Sequence, residues 1–294
     1  MSDEDVWQTG DVEFDTCDEL LAALLKRATD RLIYRGQCKF DFQLECTLSR
    51  RLHEQSKAGG PISIELMESM VSDERWSFHV QFTETVLLRR FMTQAADLGI
   101  PALPDTADRL GWWELMQHHG APTRLLDWTR SPFVGLWFAF WKHDKGDAAL
   151  WVFDTRNSEI NHGESLFEVQ TGVEAVGWEG FPDDRGWQNR IAEKAVWKRS
   201  SVPLIVNPRV AVPRVVAQQS VLTLIPNLDS PQGPRHFLFS KMATKIRLRA
   251  DWKPQINKLC KSLGLDQVSL FRDLDSVGQA LSQLVSRNQL RFPV

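Results

Sequence analysis

The stretch Leu115–Ala139, LMQHHGAPTRLLDWTRSPFVGLWFA, decides the reading of this chain. It sets two His, two Arg, an Asp, two Thr and a Ser between apolar blocks, and polar groups buried at that density need partners. Trp112–His119 reads as a short helix, with Gly120 placed where a left-handed C-cap is needed and Pro122 blocking continuation. Thr123–Trp128 suits a strand, and alternation points Arg124 and Leu126 one way, Leu125 and Asp127 the other. Ser131–Pro132 supplies an N-cap and a pre-organised first helical residue, so Phe133–Trp141 is expected to be a buried apolar helix.

Working outward, Thr16–Glu19 has a capping-box pattern ahead of a leucine-rich helix to about Ala28. Arg31–Gln37, RLIYRGQ, reads as a buried strand whose Gly36 admits another backbone or a ligand. A helix is expected to begin within Leu44–Arg51, and Ser63 to about Ala96 is mainly helical, with Leu87, Leu88, Phe91 and Met92 inward. Ala148–Asp154 is a second strand, and the irregular Asn157–Asp184 reads as an insertion or lid loop. Val202–Val206, Pro213–Val216, Val221–Ile225 and Lys245–Arg249 are further expected strands, and Pro254–Leu263 and Leu274–Val285 expected helices separated by Gly264. This strand and helix pattern makes an α+β fold, a central mixed β-sheet flanked by helices.

Composition bounds the function. At 294 residues and 43% hydrophobic the chain can build a large core, and residues 1–294 are expected to form a single domain with a flexible 1–15. The net charge of −3 gives no global nucleic-acid signal. No stretch reaches transmembrane length, so no membrane association is expected, and the acidic start MSDEDVWQTGDVEFD lacks the flank and core of a secretory signal, which points to a cytoplasmic protein. The four cysteines, Cys17, Cys38, Cys46 and Cys260, have neither metal nor disulfide spacing. Phosphate-loop, HExxH and GxSxG signatures are absent. Adjacent residues on a helix diverge by roughly 100°, so His118 and His119 do not face one metal, and no metal is expected. Tyr34 is the one tyrosine in a chain with twelve Trp, and it falls inside the YRGQ strand.

Three motifs in order, Tyr34–Arg35–Gly36–Gln37, Gln117–Thr129 (QHHGAPTRLLDWT) and Gln218–Gln219, resemble the FRG domain, a mostly bacterial family named for an aromatic/Arg/Gly signature. Ser269–Leu281 extends the likeness, while Ser220 stands where that family has Gly. A fold-level resemblance to ADP-ribosyltransferases follows from the aromatic-Arg-Gly strand and the Ser/Thr-bearing strand that leads into an apolar helix. It implies NAD as cofactor, with Arg35 on the diphosphate. It further implies that Tyr34, Gly36, Gln37, Arg124 and Gln219 line the cofactor, Thr129 and Ser131 support the nicotinamide side and Trp128 stacks on a base. His119, Asp127 and Gln218 are the candidate catalytic residues, Gln218 lying where a transferase carries Glu.

Three functions are therefore open. The first is an NAD-dependent ADP-ribosyltransferase-like toxin or phage-defence effector acting on a protein or nucleic-acid target. The second is a non-catalytic nucleotide-recognition or protein-interaction module. The third is a metal-independent phosphoester hydrolase or nuclease using His119 and Asp127. For individual residues the structural alternatives are equally concrete: Arg35 in a buried ion pair with Asp127, Arg124 in a salt bridge, Asp127 fixing a turn, Ser131 as an N-cap.

Overall fold

The computed structural model describes residues 7, 9–57, 73–142, 145–155, 196, 203–206, 208, 213–226, 228 and 243–286. Along the chain run β1 (Gly10–Val12), α1 (Cys17–Lys26), β2 (Leu32–Gln37), α2 (Thr47–Lys57), α3 (Asp73–Asp97) and α4 (Arg109–His118). Next come β3 (Leu125–Thr129), α5 (Pro132–Trp141), β4 (Ala148–Asp154), β5 (Leu204–Val206), α6 (Pro213–Ala217) and β6 (Ser220–Leu224). The last elements are β7 (Thr244–Leu248), α7 (Lys253–Ser262), α8 (Gln267–Phe271) and α9 (Leu274–Ser286). The strands form one mixed seven-stranded sheet in the order β1-β7-β4-β2-β3-β6-β5. Among the described residues only β1 and β7 pair in parallel. The expected α+β architecture is therefore the one observed.

Local chemistry explains the elements nearest the site. Thr16 caps α1 by accepting from the Glu19 amide at 3.2 Å. Asp108 caps α4 from the Gly111 amide at 2.9 Å, which starts that helix three residues before the apolar pattern shows it. Gly120 takes φ +77° after the helix end, as a left-handed turn requires. Ser131 caps α5, and Pro132 occupies its first position.

One described segment differs from the sequence expectation. Pro213–Val216 is not a strand: Pro213–Ala217 is the helix α6. Val215 and Val216 carry strand propensity, but Pro213 at the helix start and packing of α6 on α8 override it. Gln218 and Gln219 accordingly lie in the turn after α6, Gln219 with φ +46°, and not on opposite faces of a strand. The expected loop at 157–184 lies outside the described residues.

The sheet separates two apolar layers. On one face, Leu32, Tyr34, Leu150, Val152, Ile246 and Leu248 pack under α1, α5 and α7. On the other, Ile33, Leu126, Trp128, Trp151 and Phe153 pack with Leu44, Cys46, Leu48, Leu52 and Val80. A third cluster joins Leu125, Leu222 and Leu224 to Leu110, Trp113 and Met116 of α4. Asp127 shares the Leu125 face, yet it is exposed in the middle of an otherwise buried strand.

Glycine sets the distance between α5 and the sheet. A Cβ on Gly36 would lie 2.1 Å from the Gly135 carbonyl oxygen and 2.4 Å from the Ala139 amide nitrogen, both rigid backbone atoms. On the helix side, Gly135 faces Leu150 and the Tyr34 Cβ. The backbone that Gly36 admits is thus this helix, and the position belongs to packing and not to a cofactor.

Two changes in the YRG strand test this packing with opposite signs. Gly36→Ala is expected to destabilise the protein by about 3 kcal/mol or more, because the clash is with backbone that has no rotamer to escape into. Tyr34→Phe is expected to stabilise it by about 1 kcal/mol, because the Tyr34 hydroxyl is buried without a hydrogen-bond partner. Burial alone pushes that phenol up to about 12. Urea unfolding of the two variants beside the wild type checks both signs.

Candidate functional site

The site is built where β2 and β3 part. These strands are in register at Tyr34↔Thr129 alone, so the Asp127 carbonyl has no backbone partner from β2. Arg35 supplies one, donating from Nη1 to that carbonyl at 2.7 Å. The guanidinium therefore reaches the main chain of Asp127, whereas the expected ion pair would have engaged its carboxylate. Arg35 Nε is buried with no partner, which leaves a strong donor unused beside an open strand edge. Burial pulls the guanidinium below the usual arginine range, opposed by Asp127 and assisted by Arg50.

The Asp127 carboxylate is fixed from α4. Gln117 Nε2 donates to Asp127 Oδ2 at 2.8 Å, and Gln117 Oε1 accepts from the Thr123 hydroxyl, so the amide is clamped from both ends. The spacing Gln117–Thr123–Asp127 is local in sequence, but only the Gly120 turn brings the three together.

The imidazole that joins this field is His118. Burial, Arg214 and His119 hold its pKa below the usual histidine value, while Asp273 and Asp127 oppose them. His118 is therefore a neutral acceptor at pH 7, suited to receiving a proton or a hydrogen bond. His119 ends α4, bonding Leu115 through its amide at 3.1 Å, and its ring lies edge-on to His118 with centroids 5.0 Å apart. The imidazole in the electrostatic field of Asp127 is thus that of His118, next to the expected His119.

Arg214 was not among the expected site residues. Its guanidinium sits over the Phe271 ring, 4.5 Å from the centroid. Burial lowers its pKa, opposed by Asp127 and Asp273. A strand at 213–216 gives no reason to single it out, whereas the helix α6 sets Arg214 against Phe271 of α8. The turn after α6 is tied down by Thr129, whose hydroxyl donates to the Gln218 carbonyl at 2.7 Å, and by Gln218 Nε2, which donates to the Leu270 carbonyl at 3.1 Å.

Several expected ligand contacts prove to be structural. Arg124 is 1% exposed and spends its fork on Glu84, Nε to Oε1 at 2.6 Å and Nη2 to Oε2 at 2.8 Å. Its Nη1 donates to the Ile225 and Pro226 carbonyls at 3.0 and 2.8 Å. Four of its five N–H donors are spent on these partners and the side chain is almost fully buried, so Arg124 as a cofactor ligand is corrected to a structural ion pair. Trp128, 3% exposed, donates to Thr223 Oγ1 at 3.0 Å and packs on Phe153, so it has no face for a base. Gln37 links Trp151 to the Gln43 carbonyl. Thr129 accepts from the Ser131 amide, and Ser131 caps α5. Gln218 is buried and committed to Leu270, Gln219 is exposed and its carbonyl accepts from Arg130, and Tyr34 is buried in the α5 layer. The Asp127 carboxylate is thus held by Gln117 and lies in the electrostatic field of His118 and Arg214, while Arg35, alternating with Tyr34 and Gly36, leaves β2 on the Ile33 face and meets Asp127 at its carbonyl. The other expected residues support that floor without facing it.

A pH prediction follows from His118. Its folded pKa lies below the unfolded value, so the unfolded chain binds the extra proton first and stability falls as the pH drops below about 6.5. His118→Gln is expected to flatten that slope in chemical denaturation at pH 5 to 7, leaving a residue of the same sign from His79, whose pKa burial also lowers. An unchanged slope would contradict the placement.

No helix among the described residues is long and apolar enough to cross a membrane. No curated protein and no solved structure matches the chain. A match to the FRG domain model spans residues 30–148, from the strand that carries Arg35 through β3 and α5 to the start of β4. It takes in Arg35, Gln117, His118 and Asp127, while Arg214, Phe271 and Asp273 lie beyond it. Residues 30–148 of this chain are an FRG domain.

Proposed function

We propose that the chain binds a nucleotide through its diphosphate, with NAD as the ligand, and acts as an ADP-ribosyltransferase-like enzyme. One observation carries the reading. Arg35, a partly buried planar fork, makes a single hydrogen bond among the described residues and holds a buried, unpartnered Nε where two strands part. A guanidinium desolvated to that degree is completed by a bidentate anion, which returns the hydrogen bonds it has lost.

NAD, when bound, supplies a nicotinamide–ribose bond whose cleavage develops positive charge on the sugar. Asp127 would face that charge, and its carboxylate, held by Gln117 and open to solvent, supports the assignment. His118, neutral at pH 7, would accept the proton of an attacking hydroxyl or water. A toxin or phage-defence role belongs to the same proposal, as the consequence of transfer to a protein or nucleic-acid target.

A second reading, recognition without turnover, has its own support. The turn where a transferase carries Glu holds Gln218, whose amide is committed to the Leu270 carbonyl. Phosphoester cleavage through His119 and Asp127 has less, because the imidazole coupled to Asp127 is that of His118.

Calorimetric titration with NAD and ADP-ribose, together with nicotinamide release, separates these readings. Arg35→Ala, confirmed folded by circular dichroism, is expected to weaken both ligands at least tenfold. Asp127→Asn is expected to keep binding and lose nicotinamide release at least a hundredfold. Binding with no release by the wild type would favour the recognition reading, and wild-type affinity in Arg35→Ala would overturn both.

A further inference from the structure

Asp127 is exposed in the middle of a buried strand, yet a chain of hydrogen bonds within the protein decides how its carboxylate is held. The chain starts at Thr123, which is 0% exposed. Its hydroxyl oxygen accepts from the Leu125 amide at 3.3 Å, and its one proton goes to the neighbouring Gln117 Oε1. The far end of the Gln117 amide meets two acceptors, Asp127 Oδ2 at 2.8 Å and the Leu125 carbonyl at 3.5 Å. Both ends therefore demand one orientation, with the amide oxygen toward Thr123 and the NH2 toward Asp127. A flipped amide would set its oxygen against a carboxylate and a carbonyl and leave both without a donor.

The carboxylate is thus asymmetric. Oδ2 is engaged by Gln117, while Oδ1 has no hydrogen bond among the described residues. We propose that Gln117 and Thr123 are positioning residues, which hold Asp127 by Oδ2 and present Oδ1 to the ligand in one fixed direction. A free aspartate on a surface turns between rotamers, whereas a fixed one meets a developing positive charge without reorganising. The buried Thr123 hydroxyl, which touches no ligand, acts through Gln117 by deciding which end of that amide faces Asp127. This rests on the reading of Asp127 as the carboxylate that faces the ribose.

The test is the kinetics of nicotinamide release from NAD by the wild type, Gln117→Leu, Thr123→Val and Thr123→Ser. Solvent exchange of the Gln117 side-chain NH2, assigned by its loss in Gln117→Leu, is followed beside it by nuclear magnetic resonance. Thr123→Val removes the hydroxyl and keeps the shape, and Thr123→Ser keeps the hydroxyl. Gln117→Leu and Thr123→Val are expected to lower kcat at least tenfold and to change KM for NAD less than threefold, because a loosened carboxylate weakens the transition state and not binding. Thr123→Ser is expected to stay within about threefold of the wild-type kcat. The Gln117 NH2 is expected to exchange at least tenfold faster in Thr123→Val than in the wild type. Wild-type kcat in Thr123→Val overturns the inference, and so do equal losses in Thr123→Val and Thr123→Ser, which mark position 123 as packing. A wild type that releases no nicotinamide overturns the NAD reading instead. The hold on Asp127 is then decided by exchange alone: a faster Gln117 NH2 in Thr123→Val sustains it, and an unchanged one overturns it.

Discussion

The buried pair between Arg124 and Glu84 is the interaction on which the rest of the site depends. Both side chains are almost fully buried, and each oxygen of Glu84 takes one prong of the Arg124 fork. The remaining prong holds the chain just after β6 through two carbonyls. One residue at the head of β3 thus ties together α3, β3 and the end of β6. Breaking such a pair leaves an uncompensated buried charge, a loss of about 3–5 kcal/mol. Because Asp127 lies three residues further along the same strand, its position on the face between α4 and α5 follows from where Arg124 is pinned.

The other half of the frame is steric. Gly36 and Gly135 let α5 approach β2 at a distance no side chain permits, and Ser131 starts that helix at the end of β3. With β3 pinned by Arg124 and β2 drawn against α5, the two strands share one register pair and then part. Arg35 spans the opening. The unused donors of the site arise from the same arrangement that packs the core, since a fully paired β2–β3 ladder would have engaged the Asp127 carbonyl through backbone.

Much of the fold was legible in the sequence because its signals are local. Ser131–Pro132, the Thr16 cap, Gly120 and the seven-residue run AALWVFD each specify an element through chemistry within a few positions. What the sequence left unread depends on contacts distant along the chain. Val215 and Val216 favour a strand by propensity, and only the docking of α6 on α8 makes them helical. Arg124 looked as fit for a phosphate as Arg35 did, because its partner Glu84 is forty positions away. Trp128 looked like a stacking platform until the opposite apolar layer enclosed it. Within the site, Arg35 and Asp127 could be read from their motif. His118 and His119 could not be told apart without the helix end, nor Arg214 found without the turn that Thr129 and Gln218 hold.

The account separates two arginines of the FRG span by what their donors already do, and that separation can be observed directly. Arginine Nε–H resonances, assigned by substitution and followed by nuclear magnetic resonance on adding ADP-ribose, report it in one experiment. The Nε–H of Arg35 is expected to shift on saturation while that of Arg124, committed to Glu84, stays fixed. A silent Arg35 beside a responding Arg124, or silence from both at saturating ligand, would contradict the assignment of the diphosphate to the parting of β2 and β3.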